Sequence, residues 1–158
     1  MKNNFTSFNK KIKNKKKNIS LYYPSNYEVN ILKILNIAFF AEFTFSLPVI
    51  KKNNHMDFFI WKKNDILYLN NYGILEPISS KKVNPSIILV PLIAYDRNKN
   101  RIGYGKGYYD RYLNSYLNRH KKTLTIGVAF SFQKHHKLPV DKNDFKLDFI
   151  ITEKGIIK

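Results

Sequence analysis

A chain of 158 residues, 44% of them hydrophobic, is one domain of ordinary size that can bury a core of its own. It has no cysteine, which excludes a disulfide framework and a thiolate zinc site and favours a cytoplasmic setting. The net charge of +17 raises nucleic acid as a partner, but seven lysines lie in the first 17 residues, ahead of any acid, so much of the excess belongs to a basic arm.

Residues 1–18 are read as that arm, flexible or partly helical, and 19–158 as a single α/β domain. Ile19 to Tyr23 is β-branched and aromatic and ends at Pro24-Ser-Asn, which predicts a first strand. From Glu28 to Ala41 the apolar residues cover a broad face with Asn30, Lys33 and Asn36 on the wet side, which predicts a helix. Phe43 to Leu47 reads as a second strand stopped by Pro48. The apolar run that contains it is broken by Lys33, Asn36 and Glu42, so no membrane span is expected. Asp57 to Trp61 and Ile66 to Leu69, joined by Lys-Lys-Asn-Asp, predict an antiparallel hairpin.

Ile87 to Ala94 is almost continuously apolar, as in a strand covered on both faces, with a break at Pro91. Tyr108 to Asn118 has helical spacing, while Leu124 to Phe130 and Asp148 to Thr152 read as further strands. Strands alternating with helices imply a three-layer α/β/α domain, a mostly parallel Rossmann-like sheet with the hairpin added. Ligands of such sheets bind at the carboxyl ends of the strands. His135 and His136 are adjacent, point in different directions and read as surface residues.

Between strand and helix stands Arg101-Ile-Gly-Tyr-Gly-Lys-Gly-Tyr-Tyr-Asp-Arg111. Glycines at 103, 105 and 107 let main-chain N–H groups approach anionic oxygens, Lys106 adds a point charge, and Asp110 stands where a magnesium ion would accompany a nucleoside triphosphate. The spacing is neither that of a P-loop nor the dinucleotide Gly-x-Gly-x-x-Gly, which disfavours hydride transfer.

This loop, with Val90-Pro-Leu-Ile-Ala-Tyr-Asp before it, resembles the signature of the 5-formyltetrahydrofolate cyclo-ligase (5,10-methenyltetrahydrofolate synthetase) family. Tyr22 to Val29, Asn54 to Asp57, Tyr72 to Pro77 and Leu138 to Asp144 are similar to further family segments, and the likeness spans Ile19 to Glu153. The resemblance implies an enzyme that spends ATP, with Mg²⁺, to close 5-formyltetrahydrofolate to 5,10-methenyltetrahydrofolate. A monomer with no membrane or nucleic-acid partner is expected. The resemblance also implies catalytic roles for Arg101, Lys106 and Tyr109. ATP contacts would come from residues 101–109, namely Arg101, Ile102, Gly103, Tyr104, Gly105, Lys106, Gly107, Tyr108 and Tyr109, and from Lys10. Tyr23, Glu28, Met56, Tyr72 and Tyr108 would hold the folate, Glu28 reading the pterin's donor edge, and Asp110 and Asp144 the metal.

Two departures stand out. The family places a Lys and an Arg ahead of the first strand to reach the ATP, whereas only lysines occur here, so Lys10, Lys11 or Lys13 must substitute without a bidentate clamp. Leu92 replaces the glycine that usually follows the strand proline. The rival expectation is a catalytically weak relative that binds nucleotide or RNA through its basic arm.

Overall fold

The computed structural model describes residues 18–78 and 81–158; Lys10 and the rest of the basic arm fall outside it except Asn18, which opens the first strand. In chain order the strands are β1 (Asn18–Ser20), β2 (Thr44–Ile50), β3 (Met56–Ile60), β4 (Leu67–Leu69), β5 (Leu75–Pro77) and β6 (Lys82–Val83). Then come β7 (Ile87–Val90), β8 (Ala94–Tyr95), β9 (Arg101–Ile102), helix α1 (Tyr108–Arg119), β10 (Leu124–Val128), β11 (Phe149–Thr152) and β12 (Gly155–Ile157). Eight strands form one sheet in the order β12-β11-β10-β7-β1-β2-β3-β6. Its middle, from β11 to β2, is parallel throughout, and antiparallel strands finish both edges.

The central strands are apolar at consecutive positions because both faces are covered. Ile87 and Leu89 point with Ile19, Leu124, Ile126 and Phe149 to one core, and Ile88 and Val90 point with Phe58 and Ile150 to the other. On the second face α1 contributes Leu113 and Tyr116, both buried. Gly127 is the point of closest approach there. A Cβ on it would stand 2.8 Å from Leu147 Cδ1 and 2.9 Å from Leu92 Cδ2.

The segment expected to be a helix from Glu28 to Ala41 is instead a pair of 3₁₀ turns, Ile31–Asn36 and Ala38–Phe40, separated by extended Ile37. The apolar residues there are largely β-branched or aromatic, poor α-helix formers, and no acid supports the first turn. A 3₁₀ turn brings residues three apart into line. Ile31 with Ile34, and Leu32 with Leu35, thereby reach the first core together.

Pro48 does not stop β2, which runs through it to Ile50. Ser46 O accepts from Leu21 N in the last rung with β1, and Pro48 cannot donate the next one, but the strand continues to Ile50 because its other edge is paired with β3 throughout. The hairpin expected between Asp57–Trp61 and Ile66–Leu69 is also rearranged. Both edges of β3 are occupied, by β2 and by β6, so β4 turns to β5 and forms a separate two-stranded ribbon. Buried Glu76 pins that ribbon to the main sheet by accepting from Ile50 N, Tyr68 Oη and Asn70 Nδ2.

Replacing Gly127 with alanine forces Leu147 and Leu92 apart. We expect about 1–3 kcal/mol of destabilisation from this overpacking, read as a lower urea midpoint with an unchanged slope. An unaltered midpoint would show that the two leucines yield freely.

Candidate active site

The carboxyl ends of β1, β7 and β10 gather three segments onto one edge of the sheet. β1 leads into a turn in which Glu28 N donates to Ser25 O, and β10 into a 3₁₀ turn, Ser131–Gln133, whose Gln133 Nε2 donates to Tyr27 O at 3.2 Å. β7 leads through Pro91 into the β8–β9 hairpin. The turn of that hairpin is fixed by Asp96, fully buried, which accepts from Asn98 N, Asn100 N and Nδ2, and Leu138 N. Burial pushes the Asp96 carboxyl up, but these bonds outweigh it and hold the group below the usual carboxylate range. From β9 the chain enters the glycine loop.

Gly107 closes the loop as N-cap of α1 in the left-handed conformation, φ 64° and ψ 15°, which only glycine adopts cheaply. It has no side chain to cap the helix, so the first N–H groups of α1 face outward with the positive end of the helix dipole behind them. Tyr104 and Lys106 are exposed on the loop, Ile102 is exposed at its start, Gly103 and Gly105 lie between them, and Gly105 has φ 80°. Tyr104 Oη reaches Ser25 O at 3.4 Å, tying the loop to the Glu28 turn.

The candidate residues are drawn together unequally. Arg101 is buried, its side chain only 5% exposed, and donates from Nη2 to Asp110 Oδ1 at 2.8 Å with its guanidinium 5.9 Å from the Tyr109 ring centre. Its Nε has no hydrogen-bond partner among the described residues. The Tyr109 hydroxyl is likewise shut off from solvent without a hydrogen bond to the described residues, and burial followed by the charge of Glu28 drives its pKa far above the ordinary phenol value. Tyr109 therefore meets the loop's outer side through its main chain. Lys106 is the loop cation facing solvent, its Nζ 6.0 Å from the ring centre of Tyr72. Tyr72, at the tip of the β4–β5 ribbon, meets Tyr108 edge to face at 6.0 Å.

Glu28 accepts from Ser25 N at 2.9 Å and more weakly from Ser25 Oγ. Burial raises its carboxyl pKa, partly offset by these two bonds. Tyr22, shifted up by burial and by the Glu28 charge, donates to Val29 O beneath it. Tyr23 is half-buried on the same edge. Met56, expected to line an open slot, instead packs at 5% exposure in the core under α1, with Tyr108 and Tyr109 against that cluster.

Of the carboxylates expected to hold magnesium, Asp110 accepts from Arg101 and from Phe145 N through Oδ1, and Asp144 caps its own turn by accepting from Asp141 N through Oδ2. The Phe145 bond brings the residue beside Asp144 onto Asp110, and the second oxygen of each carboxylate accepts nothing from the described residues. No cluster of three or more acidic or histidine ligands occurs among the described residues. Two carboxylates with free oxygens suit a magnesium ion that keeps its waters and arrives on a triphosphate, and do not suit a resident metal.

Sequence reading missed Arg111, which donates from Nη2 to Lys106 O at 2.8 Å, and Glu76, whose bonds to Tyr68 and Asn70 exist only once the ribbon is formed. His135 and His136 are exposed as expected. A shallow cavity of about 450 Å³ lies beside the start of β11, lined by Lys99, Lys146 and Lys158 among others, and includes none of these site residues.

Changing Asp110 to asparagine keeps an acceptor for Phe145 N but strips the counter-charge from buried Arg101. We expect a loss of about 3 kcal/mol in urea unfolding, largely restored when Arg101→Met is added. A single variant as stable as the parent would show that the guanidinium finds water instead.

The sequence model of the 5-formyltetrahydrofolate cyclo-ligase family matches residues 7–153. A 5-formyltetrahydrofolate cyclo-ligase of Mycoplasma genitalium is 34% identical over 85% of this chain and 72% of its own length, and a probable one of Schizosaccharomyces pombe 28% identical over 90% and 78%. The NMR structure of Aquifex aeolicus 5,10-methenyltetrahydrofolate synthetase superposes with a TM-score of 0.73 at 34% identity, covering 89% of this chain and 70% of that one. The Mycoplasma pneumoniae 5,10-methenyltetrahydrofolate synthetase follows at 0.62 and 28%, covering 85% and 72%. Among the described residues no helix is long and apolar enough to cross a membrane. With nearly its whole length matched and its glycine loop seated at the carboxyl edge of the sheet, the chain belongs to the 5-formyltetrahydrofolate cyclo-ligase family.

Proposed function

We propose that this chain cyclises 5-formyltetrahydrofolate to 5,10-methenyltetrahydrofolate at the expense of ATP, releasing ADP and phosphate. The observation that carries the reading is the uncapped start of α1, joined to a glycine loop whose lysine faces solvent, within reach of a turn that presents a half-buried glutamate. A triphosphate lies across that loop, its terminal phosphorus directed toward the formyl group of a folate held beside Glu28.

The formyl oxygen of an amide is a weak nucleophile and a poor leaving group. Its attack on the γ-phosphorus expels ADP and leaves an imidate-like phosphate. N10 then adds to the activated carbon and gives up its proton to solvent, and the C–O bond breaks to release inorganic phosphate and the closed cation. Charge builds on the transferring phosphoryl group, so positioned donors supply the main stabilisation. Lys106 and the outward amides at the start of α1 fill that role. Arg101 acts one step back, holding Asp110 and the ends of the loop in place.

Asp110 and Asp144 would hold the Mg²⁺ that travels with ATP, where it supplies charge neutralisation between phosphates. Glu28 accepts from the donor edge of the pterin, and Tyr72 and Tyr108 offer ring faces to the aromatic tail. Tyr23 contributes to the same wall. The reading takes the enzyme to be a cytoplasmic monomer, with Lys10 of the basic arm completing the ATP contacts.

Purified protein given Mg-ATP and 5-formyltetrahydrofolate should generate the ultraviolet band of the methenyl product, and Lys106→Ala should lower kcat/KM about 10²-fold without unfolding it. A folded parent that yields no product would overturn the assignment. Glu28→Gln should separate function from stability. A carboxyl whose folded pKa is raised by burial makes the protein bind more protons folded than unfolded, so stability falls as pH rises through the carboxylate range. The glutamine variant should be at least as stable at neutral pH, with a flatter profile in that range, yet have a higher KM for the folate. Lost stability at neutral pH would show that the ionised carboxylate is needed to hold the turn.

A further inference from the structure

Arg111 lies on the first turn of α1, four residues beyond Gly107, and its exposed side chain folds back over the loop. Nη2 donates to Lys106 O at 2.8 Å, while Nε and Nη2 both reach Asn54 O at 3.4 Å. The guanidinium carbon sits 5.2 Å from the ring centre of Tyr108. A Cβ built on Gly107 would come within 2.8 Å of Nη1, so the fork lies directly against the glycine backbone. The loop is thereby fastened to the turn between β2 and β3.

The bond to Lys106 O has a directional consequence. Every described peptide is trans, and in a planar trans unit the carbonyl of one residue and the N–H of the next point in opposite directions. Fastening the Lys106 carbonyl to Arg111 therefore turns the Gly107 N–H away from the guanidinium. Left alone, this peptide has little to resist rotation, because glycine accepts φ of either sign at small cost. A rotated peptide would offer a carbonyl dipole to an incoming phosphate where the present one offers a donor.

We infer that Arg111 is a positioning residue for the ATP reaction, locking the Lys106–Gly107 peptide in the orientation that presents Gly107 N–H to the triphosphate. This rests on the proposed use of the loop for ATP. Two demands on the clamp explain the residue type: it must bond two carbonyls on different segments and lie flat against a glycine, which suits a guanidinium and not an ammonium.

The test uses full-length parent, Arg111→Ala and Arg111→Lys. In the alanine variant KM for Mg-ATP should rise about tenfold, the scale of one lost charge-assisted hydrogen bond, while KM for 5-formyltetrahydrofolate stays within about twofold. Lysine should restore less than half of that loss. The chain has only six glycines, so ¹⁵N-glycine labelling gives a readable amide spectrum in which Gly107 should broaden or split in the alanine variant while Gly127 and Gly155 hold their positions. An unchanged KM for Mg-ATP overturns the inference, as does a parallel rise in both KM values with a lowered melting temperature. If the parent makes no product, the cyclo-ligase reading falls, and the Gly107 amide still decides: a single unshifted line without Arg111 overturns the clamp.

Discussion

The ion pair between Arg101 and Asp110 is the constraint on which the site depends. It joins the last strand before the glycine loop to the first turn of the helix after it, so the loop is a closed span with both ends fixed. A guanidinium with 5% of its side chain exposed cannot stay charged in that position without a partner, and Asp110 is the partner. The same carboxylate oxygen also takes Phe145 N, which draws the segment around Asp144 to the helix. One oxygen thus fixes both ends of the loop and a third piece of chain 35 residues further on.

The protein uses its scarce acids in this way repeatedly. Against 28 basic residues it has 11 acidic ones, yet buried Asp96 holds the turn that feeds β9 and buried Glu76 holds the ribbon that carries Tyr72. Glu28 closes the turn at the end of β1. Each is a carboxylate bonded to main-chain N–H groups, which fixes loop geometry where little apolar surface is available to do so. Acids turned inward leave much of the surface to lysine. A surface rich in lysine attracts polyanions.

The parts that were legible in the sequence are those set by short-range chemistry. Ile87 to Val90 and Leu124 to Val128 are apolar at nearly every position because both faces are covered, and α1 shows its period because Leu113 and Tyr116 lie three apart on a single buried side. The glycine loop announced itself by composition. What escaped depends on partners distant in the chain. Whether Pro48 ends a strand depends on β3 pairing along the other edge, and whether β4 joins β3 depends on β6 occupying that edge. The apolar stretch after Glu28 has the residues of a buried segment without the propensity for an α-helix, and a count of apolar positions does not separate the two. Arg111 escaped because its partners are carbonyl oxygens, which every residue has.

The three cations around the loop divide the labour according to their chemistry. Arg101 is buried, paired and stacked near Tyr109, a place that a rigid and weakly hydrated guanidinium tolerates and an ammonium does not. Arg111 bonds carbonyl oxygens and needs a planar fork to reach two at once. Lys106 stands in solvent with no carboxylate paired to it among the described residues, so its charge remains available to a ligand and its flexible stem can follow a phosphoryl group as that group moves. The motif alone marks Arg101 and Lys106 as candidate phosphate ligands. Their surroundings permit that role most directly for the lysine, because the charge of Arg101 is committed to Asp110 before any substrate arrives and Arg111 is committed to the backbone that the substrate must meet.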